Sequence, residues 1–214
     1  MPLSAPRRSR PFTAALHRLA ADRDPGCLLD TDGAFLFVND AWERFALTNG
    51  GGSRCTASAL IGTRMLDHVT GDAPRRMLRQ LLERALRAHV TQTSECNGPD
   101  VARLVAAQLE PVTTGGGAPV GIAVVYRVVR ERPIGDVYPL EDATSRSWRG
   151  PAGLEQCSTC RRTRRPDVPD EWDLVPGLVA APPRDTQFGC CPRCLALHHG
   201  ETAAEATRAS SRDA

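Results

Sequence analysis

The spacing of apolar positions changes character several times along the chain. In "PFTAALHRLAAD" (11–22), Phe12, Ala15, Leu16 and Leu19 recur at helical spacing and give one apolar face. Two short apolar runs follow, 27–29 and 34–38, on either side of "DTDG". Asp-Gly between strands predicts a hairpin, because Gly33 takes the positive φ of a tight turn. Asn39 or Asp40 then caps a helix, "AWERFALTNG", which stops at Asn49-Gly50. "GGSRCTASA" reads as a loop and "LIGTRMLDHV" as a short helical piece. Asp72 caps a longer helix with Pro74 in its first turn, and Met77, Leu78, Leu81, Leu82 and Ala85 form its stripe. After His89 the period becomes that of strands: 90–96, 101–112 and the run from "VGIAVVYRVV". In the last of these Ile122, Val124, Tyr126 and Val128 share a face. "TTGGGAP" joins the second and third, and its "GGG" at 115–117 is a hairpin tip with no helix behind it.

The order is therefore helix, two strands, several helices, three strands. Five antiparallel strands with helices inserted after the second make an α+β domain, with helices on one face and a pocket between helices and sheet. This domain takes 11–133. Residues 1–10 read as a basic tail. Residues 134–152 carry Pro, Gly and Ser without a period and read as a linker. A Cys-rich unit covers 153–199, and 200–214 is a polar tail.

Composition narrows the function. The chain has 214 residues, 41% hydrophobic and 5% aromatic, with a net charge of +2, so no global field points to nucleic acid or an anionic membrane. Every basic residue is Arg and Ala is abundant, as in a GC-rich bacterial genome, so an Arg here is weak evidence for a chosen Arg. No run approaches the ~20 apolar residues of a membrane span. "MPLSAPRRSRPF" is followed by no apolar h-region, which excludes a secretory signal and makes the cytoplasm the expected location. In that reducing compartment eight Cys point to metal binding or redox chemistry.

"LLDTDGAFLFVNDAW" (28–42), "LIGTRMLDHV" (60–69), the helix 72–88 and the three strands of 90–130 together resemble a PAS sensor domain. Within that class, "ECNGPDVARLVAAQLEPV", the closing "ERP" and "CSTCRRTRR…EW…FGCCPRC" resemble a bacterial subgroup. There the domain is followed by a Cys-x-x-Cys…Cys-Pro-x-Cys module. The resemblance implies a signalling protein. It would bind a small ligand of unknown identity, respond to redox state, or dimerise, and pass the change to a protein partner. The Asn-Cys-Arg-Phe motif of flavin-photoreceptor members is absent from the sequence.

Cys157 and Cys160 form one pair and Cys191 and Cys194 the other. Four thiolates close a tetrahedral zinc site, and a Cys-x-x-Cys turn brings two sulfurs to one metal. The expectation is a structural zinc in a ribbon-like module. Reversible disulfides without metal, and a degenerate site, stay open as alternatives. A zinc closed by four thiolates has no open position, so no enzyme is expected. Cys190 reads as a bystander thiol, and His198 and His199 as an exposed pair.

Other candidates are weaker. Arg161, Arg162, Arg164 and Arg165 follow the first knuckle and are the candidate phosphate contacts of a nucleic-acid-binding regulator; the plain reading is a solvated turn. Cys27 and Cys96 are expected as small buried hydrophobes and Cys55 in a loop. His68 and His89 are candidate haem ligands facing the pocket. Asp30, Asp32 and Asp40 are turn and cap residues. The ligand pocket is expected from Leu29, Phe35, Phe37, Trp42, Phe45, Leu81, Val124 and Tyr126.

Overall fold

The structure, a computed structural model, describes residues 10–198. The terminal tails and His199 lie outside the described residues. The chain runs α1 (Arg10–Ala21), β1 (Gly26–Asp30), β2 (Phe35–Val38), α2 (Asp40–Thr48), α3 (Ala57–Leu60), α4 (Asp72–Ala85), β3 (Val90–Glu95), β4 (Val101–Thr113) and β5 (Pro119–Pro133). It continues with β6 (Glu155–Cys157), β7 (Thr163–Arg164), β8 (Trp172–Asp173), α5 (Pro176–Ala180), β9 (Gln187–Gly189) and α6 (Pro192–His198). "GGSRCTASA", expected as a loop, holds a single 3₁₀ turn at Gly52–Cys55 and the start of α3.

β1–β5 form one sheet in the order β2-β1-β5-β4-β3, the α+β architecture expected from the sequence. β6–β9 form a second, in the order β8-β7-β6-β9. Contacts divide the described chain into two units. The first runs to Asp67 and adds Gln80–Val90 and Gln108–Tyr126; the second is His68–Arg79, Thr91–Ala107 and everything from Arg127 on. β4 and β5, at 13 and 15 residues, are long enough to serve both. No described helix is long and apolar enough to cross a membrane.

In the first unit the DTDG turn forms as its residues require. Asp30 Oδ1 accepts from Asp32 N (2.9 Å) and Ala34 N (2.8 Å), and Gly33 has φ +78°. Asn39, not Asp40, is the cap of α2. Its buried Oδ1 accepts from Trp42 N and Gly26 N, both at 2.9 Å, and its Nδ2 donates to Leu19 O (3.0 Å) and Asp24 O (2.9 Å). One side chain thus fixes the end of α1, the start of β1 and the start of α2. α1 packs Ala15 and Leu19 on Leu28, Val112 and Ala123. Leu29, Ile122 and Val124 alternate with these residues and face the other way, where Trp42 of α2 meets Tyr126. Helices therefore cover both faces of this part of the sheet.

In the second unit, residues 134–152 are not free chain. Ile134 packs with Ala102 and Leu174, and Trp148 with Leu154 and Val175. Leu140 bridges Leu174. Isolated anchors of this kind carry no period, which is why the sequence reads as a linker.

Candidate metal centre

The two Cys pairs come together in the second unit. β6 ends at Cys157, and the chain turns so that Arg161 N donates back to Cys157 O (3.1 Å) and Cys157 N to Arg162 O (2.7 Å). Arg161 takes a left-handed φ of 66° to close this knuckle. β9 pairs parallel with β6, Cys157 opposite Gly189, and delivers Cys191. The second pair is then carried by the start of α6, with Pro192 in its first turn and Leu195 N donating to Cys191 O. A helix takes the place of a second ribbon turn.

All four thiols are buried, and their sulfurs lie within 4.8 Å of one another. Cys160 Sγ is 3.5 Å from Cys191 Sγ, and Cys191 N lies 3.5 Å from Cys157 Sγ. All eight Cys of the chain are free. A Zn–S bond of about 2.3 Å in a tetrahedron separates sulfurs by about 3.8 Å. The sulfur separations, from 3.5 Å for Cys160–Cys191 to at most 4.8 Å, bracket that value, and four thiolates are a donor set that zinc takes. Thiols donating from Cys160 and its neighbours hold Cys157 well below the usual thiol range. Burial and the neighbouring Cys157 push Cys160 up, and the hydrogen bond with Cys157 leads the rise of Cys194.

A carboxylate holds both knuckles. Glu95, at the end of β3 and 2% exposed, accepts from Arg162 Nη1 (2.6 Å), Arg193 Nε and Tyr138 OH (3.0 Å). Arg162 is two residues past Cys160, and Arg193 lies between Cys191 and Cys194. Both guanidiniums also face the Tyr138 ring, at 4.7 and 5.8 Å. Asn97 donates to Cys160 O (3.0 Å) and to Glu95 Oε2 (3.3 Å). Burial alone would raise the Glu95 carboxyl; Arg162 and Arg193 outweigh it and hold the group below its ordinary range. Neither Glu95 nor Asn97 is a candidate site residue in the sequence, although both lie in the "ECNGPD" stretch that carries the subgroup resemblance. The signal available was an Arg beside each knuckle that required a counter-charge.

The remaining candidates fall as follows. Arg162 is buried on Glu95 rather than solvated. Arg164 Nη1 pairs with Glu155 (2.8 Å), Arg165 with Asp173 and Glu171, and Arg161 stacks on Phe188 at 5.9 Å. Cys190 is half-buried and packs against the four-thiol cluster, and its thiol is pushed up, chiefly by its hydrogen bond with Cys157. His198, expected on the surface, is buried, because α6 turns that side inward along with Leu197. Cys27 is fully buried, and burial pushes its thiol up; Cys96 and Cys55 are half-buried. His68 and His89 are exposed, and His89 lies 3.9 Å from Glu110, so neither faces an interior pocket.

The aromatic set lies in the first unit. Phe35 meets Trp42 edge-on at 5.9 Å, Trp42 meets Tyr126 at 5.7 Å, and Trp42 Nε1 donates to Cys55 O. Leu29 and Val124 are fully buried, while Phe45 and Leu81 are half-buried. Phe37 is not in this group; it packs against the α1 cluster. The β1–β2 register shifts between Leu28 and Leu29, so Leu28 pairs with Phe37 and Leu29 with Phe35. A bulge of this kind puts two residues of like parity on opposite faces.

No protein-family model matches the chain, and no curated protein does. Among solved structures, the PAS domain of BvgS from Bordetella pertussis is similar at 22% identity, with 56% of this chain and 88% of that one covered and a TM-score of 0.45. A LOV protein of Rhodobacter sphaeroides is similar at 15% identity, covering 56% and 67%, with a TM-score of 0.41. A sensory box sensor histidine kinase from Vibrio cholerae is similar at 14% identity, covering 57% and 94%, with a TM-score of 0.37. The solved structures named here are PAS and LOV proteins and a sensor kinase.

Proposed function

We propose that this chain is a PAS-type sensor of the cytoplasm whose four-cysteine module holds a structural zinc and presents itself to a protein partner. The observation that carries the reading is the buried cluster of Cys157, Cys160, Cys191 and Cys194, whose two knuckles are both held by Glu95 at the end of β3. Zinc, when bound, supplies a closed four-thiolate site that ties two distant segments together without an open position for catalysis. The chain's own residues do the rest. Arg162 and Arg193 bring positive charge to a site whose four thiolates exceed the charge of the metal. Glu95 receives both guanidiniums, and Asn97 fixes the Cys160 carbonyl. A change in ligand or dimer packing that moves β3 would move both knuckles through these bonds. The protein acts by binding rather than by catalysis.

The test is metal content of anaerobically purified full chain, with a free-thiol count on the same sample. The reading expects one zinc per chain and loss of that zinc when Cys157 or Cys191 becomes Ser. Metal-free protein whose pairs oxidise and reduce reversibly would replace it with a thiol-based redox sensor.

A further inference from the structure

Beside the Glu95 network the second unit has a shallow groove on the face of β4 and β5. Its apolar lining is Ala102, Leu104 and Val137, and its polar lining is Glu95, Arg103, Arg130, Arg132, Tyr138 and Arg193. Arg130 and Arg132 are two apart on β5 and so point to one face. Arg103 is paired with Glu131 and Arg193 with Glu95. Arg130 and Arg132 have no hydrogen-bond or ion-pair partner among the described residues, and both are exposed. Two uncompensated cations beside an apolar lining focus field into the groove.

We propose that this groove binds a phosphate group. Guanidinium forks match the paired oxygens of phosphate, and two of them on one strand face can grip one group from two directions. The enclosed space is only ≈10 Å³, room for about one water-sized atom. One phosphate oxygen enters and the remainder stays in solvent, so the site takes a free phosphate or the exposed end of a phosphomonoester. Arg193 lies between Cys191 and Cys194, so a bound phosphate also draws on the guanidinium that Glu95 holds. That last link, from groove to knuckle, rests on the four-cysteine reading; the binding site itself does not.

The experiment is calorimetric titration of the full chain with inorganic phosphate, and separately with phenyl phosphate, at ionic strength held constant with sodium chloride. Saturable one-to-one binding is expected, weakened at least tenfold in Arg130→Gln/Arg132→Gln and unchanged in Arg44→Gln, an exposed arginine of α2. Binding of both ligands identifies a monoester site. Binding of inorganic phosphate alone identifies a site for the free anion. No saturable heat with either, or equal affinity in the double variant, overturns the proposal. Zinc is measured on the same samples. Loss of phosphate binding with zinc intact strikes the groove alone, and phosphate binding without zinc strikes only the cysteine reading.

Discussion

The two units are held together by different chemistry. In the first, Leu19, Leu28, Leu29, Ile122 and Val124 are all at most 1% exposed, and the packing is aliphatic and aromatic. Each such side chain stabilises by about 1.5–3 kcal/mol on burial. The second also has aliphatic and aromatic clusters about Leu174 and Trp148, but around its knuckles the four sulfurs, Glu95, Arg162 and Asn97 are buried. Hydrophobic cohesion depends little on metal, redox state or pH. Cohesion through sulfur and ions depends on all three. The same chain thus joins a unit whose stability is insensitive to solution chemistry to one whose stability reports it.

The largest expected effect breaks the second unit and spares the first. Replacing Cys157 or Cys191 with Ser, or chelating the proposed zinc, removes the sulfur cluster that ties the end of β6 to the start of α6. Amide exchange should rise throughout 155–198 by several orders of magnitude. The β1 and β5 amides at 26–30 and 122–125 should stay protected. Equal loss of protection in both sets would mean that the units share one source of stability.

Next in size is Glu95. Removing one member of a buried ion pair strands its partners and costs about 3–5 kcal/mol. Glu95→Ala leaves Arg162 and Arg193 without their carboxylate, so the unfolding free energy of the second unit, read from urea denaturation, should fall by that amount. Glu95→Gln, which keeps an acceptor, should lose less. Asn39→Ala is the counterpart in the first unit. It removes a helix cap and leaves Gly26 N short of its side-chain partner, at about 2 kcal/mol, with zinc content unchanged. If Asn39→Ala instead reduced bound zinc, the separation drawn here would fail.

Much of the first unit was readable because its signals are local. DTDG closes on Asp30 and Gly33, and the Asn39 cap lies within three residues of the amide it serves. The Cys pairs were readable for the same reason, since two-residue spacing is itself the chemistry. What escaped was long-range. Glu95 finds Arg162 67 residues away and Arg193 98 residues away, and neither pairing leaves a trace in "VTQTSE". The bulge that separates Phe35 from Phe37 depends on which residue of β2 goes unpaired, and period alone assigns both to one face. The basic run after Cys160 read as a solvated turn because the sequence does not show that Glu95, Glu155 and Asp173 receive it.

The smallest effect, and the sharpest test of the contrast, is acid. The folded Glu95 carboxyl is held below its ordinary value of 4.5. A depressed carboxylate contributes stability that is fully present above that ordinary value and is lost as pH falls through the folded one. The second unit should therefore weaken from about pH 4.5 downward. Where the proposed zinc is bound, its thiolates also take up protons as it leaves, so acid acts twice on this unit. Glu95→Gln separates the two. It has no carboxyl to titrate, so the part of the acid slope owed to Glu95 disappears while the part owed to metal release remains. The test is the urea midpoint of wild type and Glu95→Gln between pH 6 and 3, with released zinc followed in the same samples. Parallel curves would show that Glu95 is paired in place but does not govern the acid response. Convergence of the two curves as pH falls would show that the ion network, and not the metal alone, makes this unit sensitive.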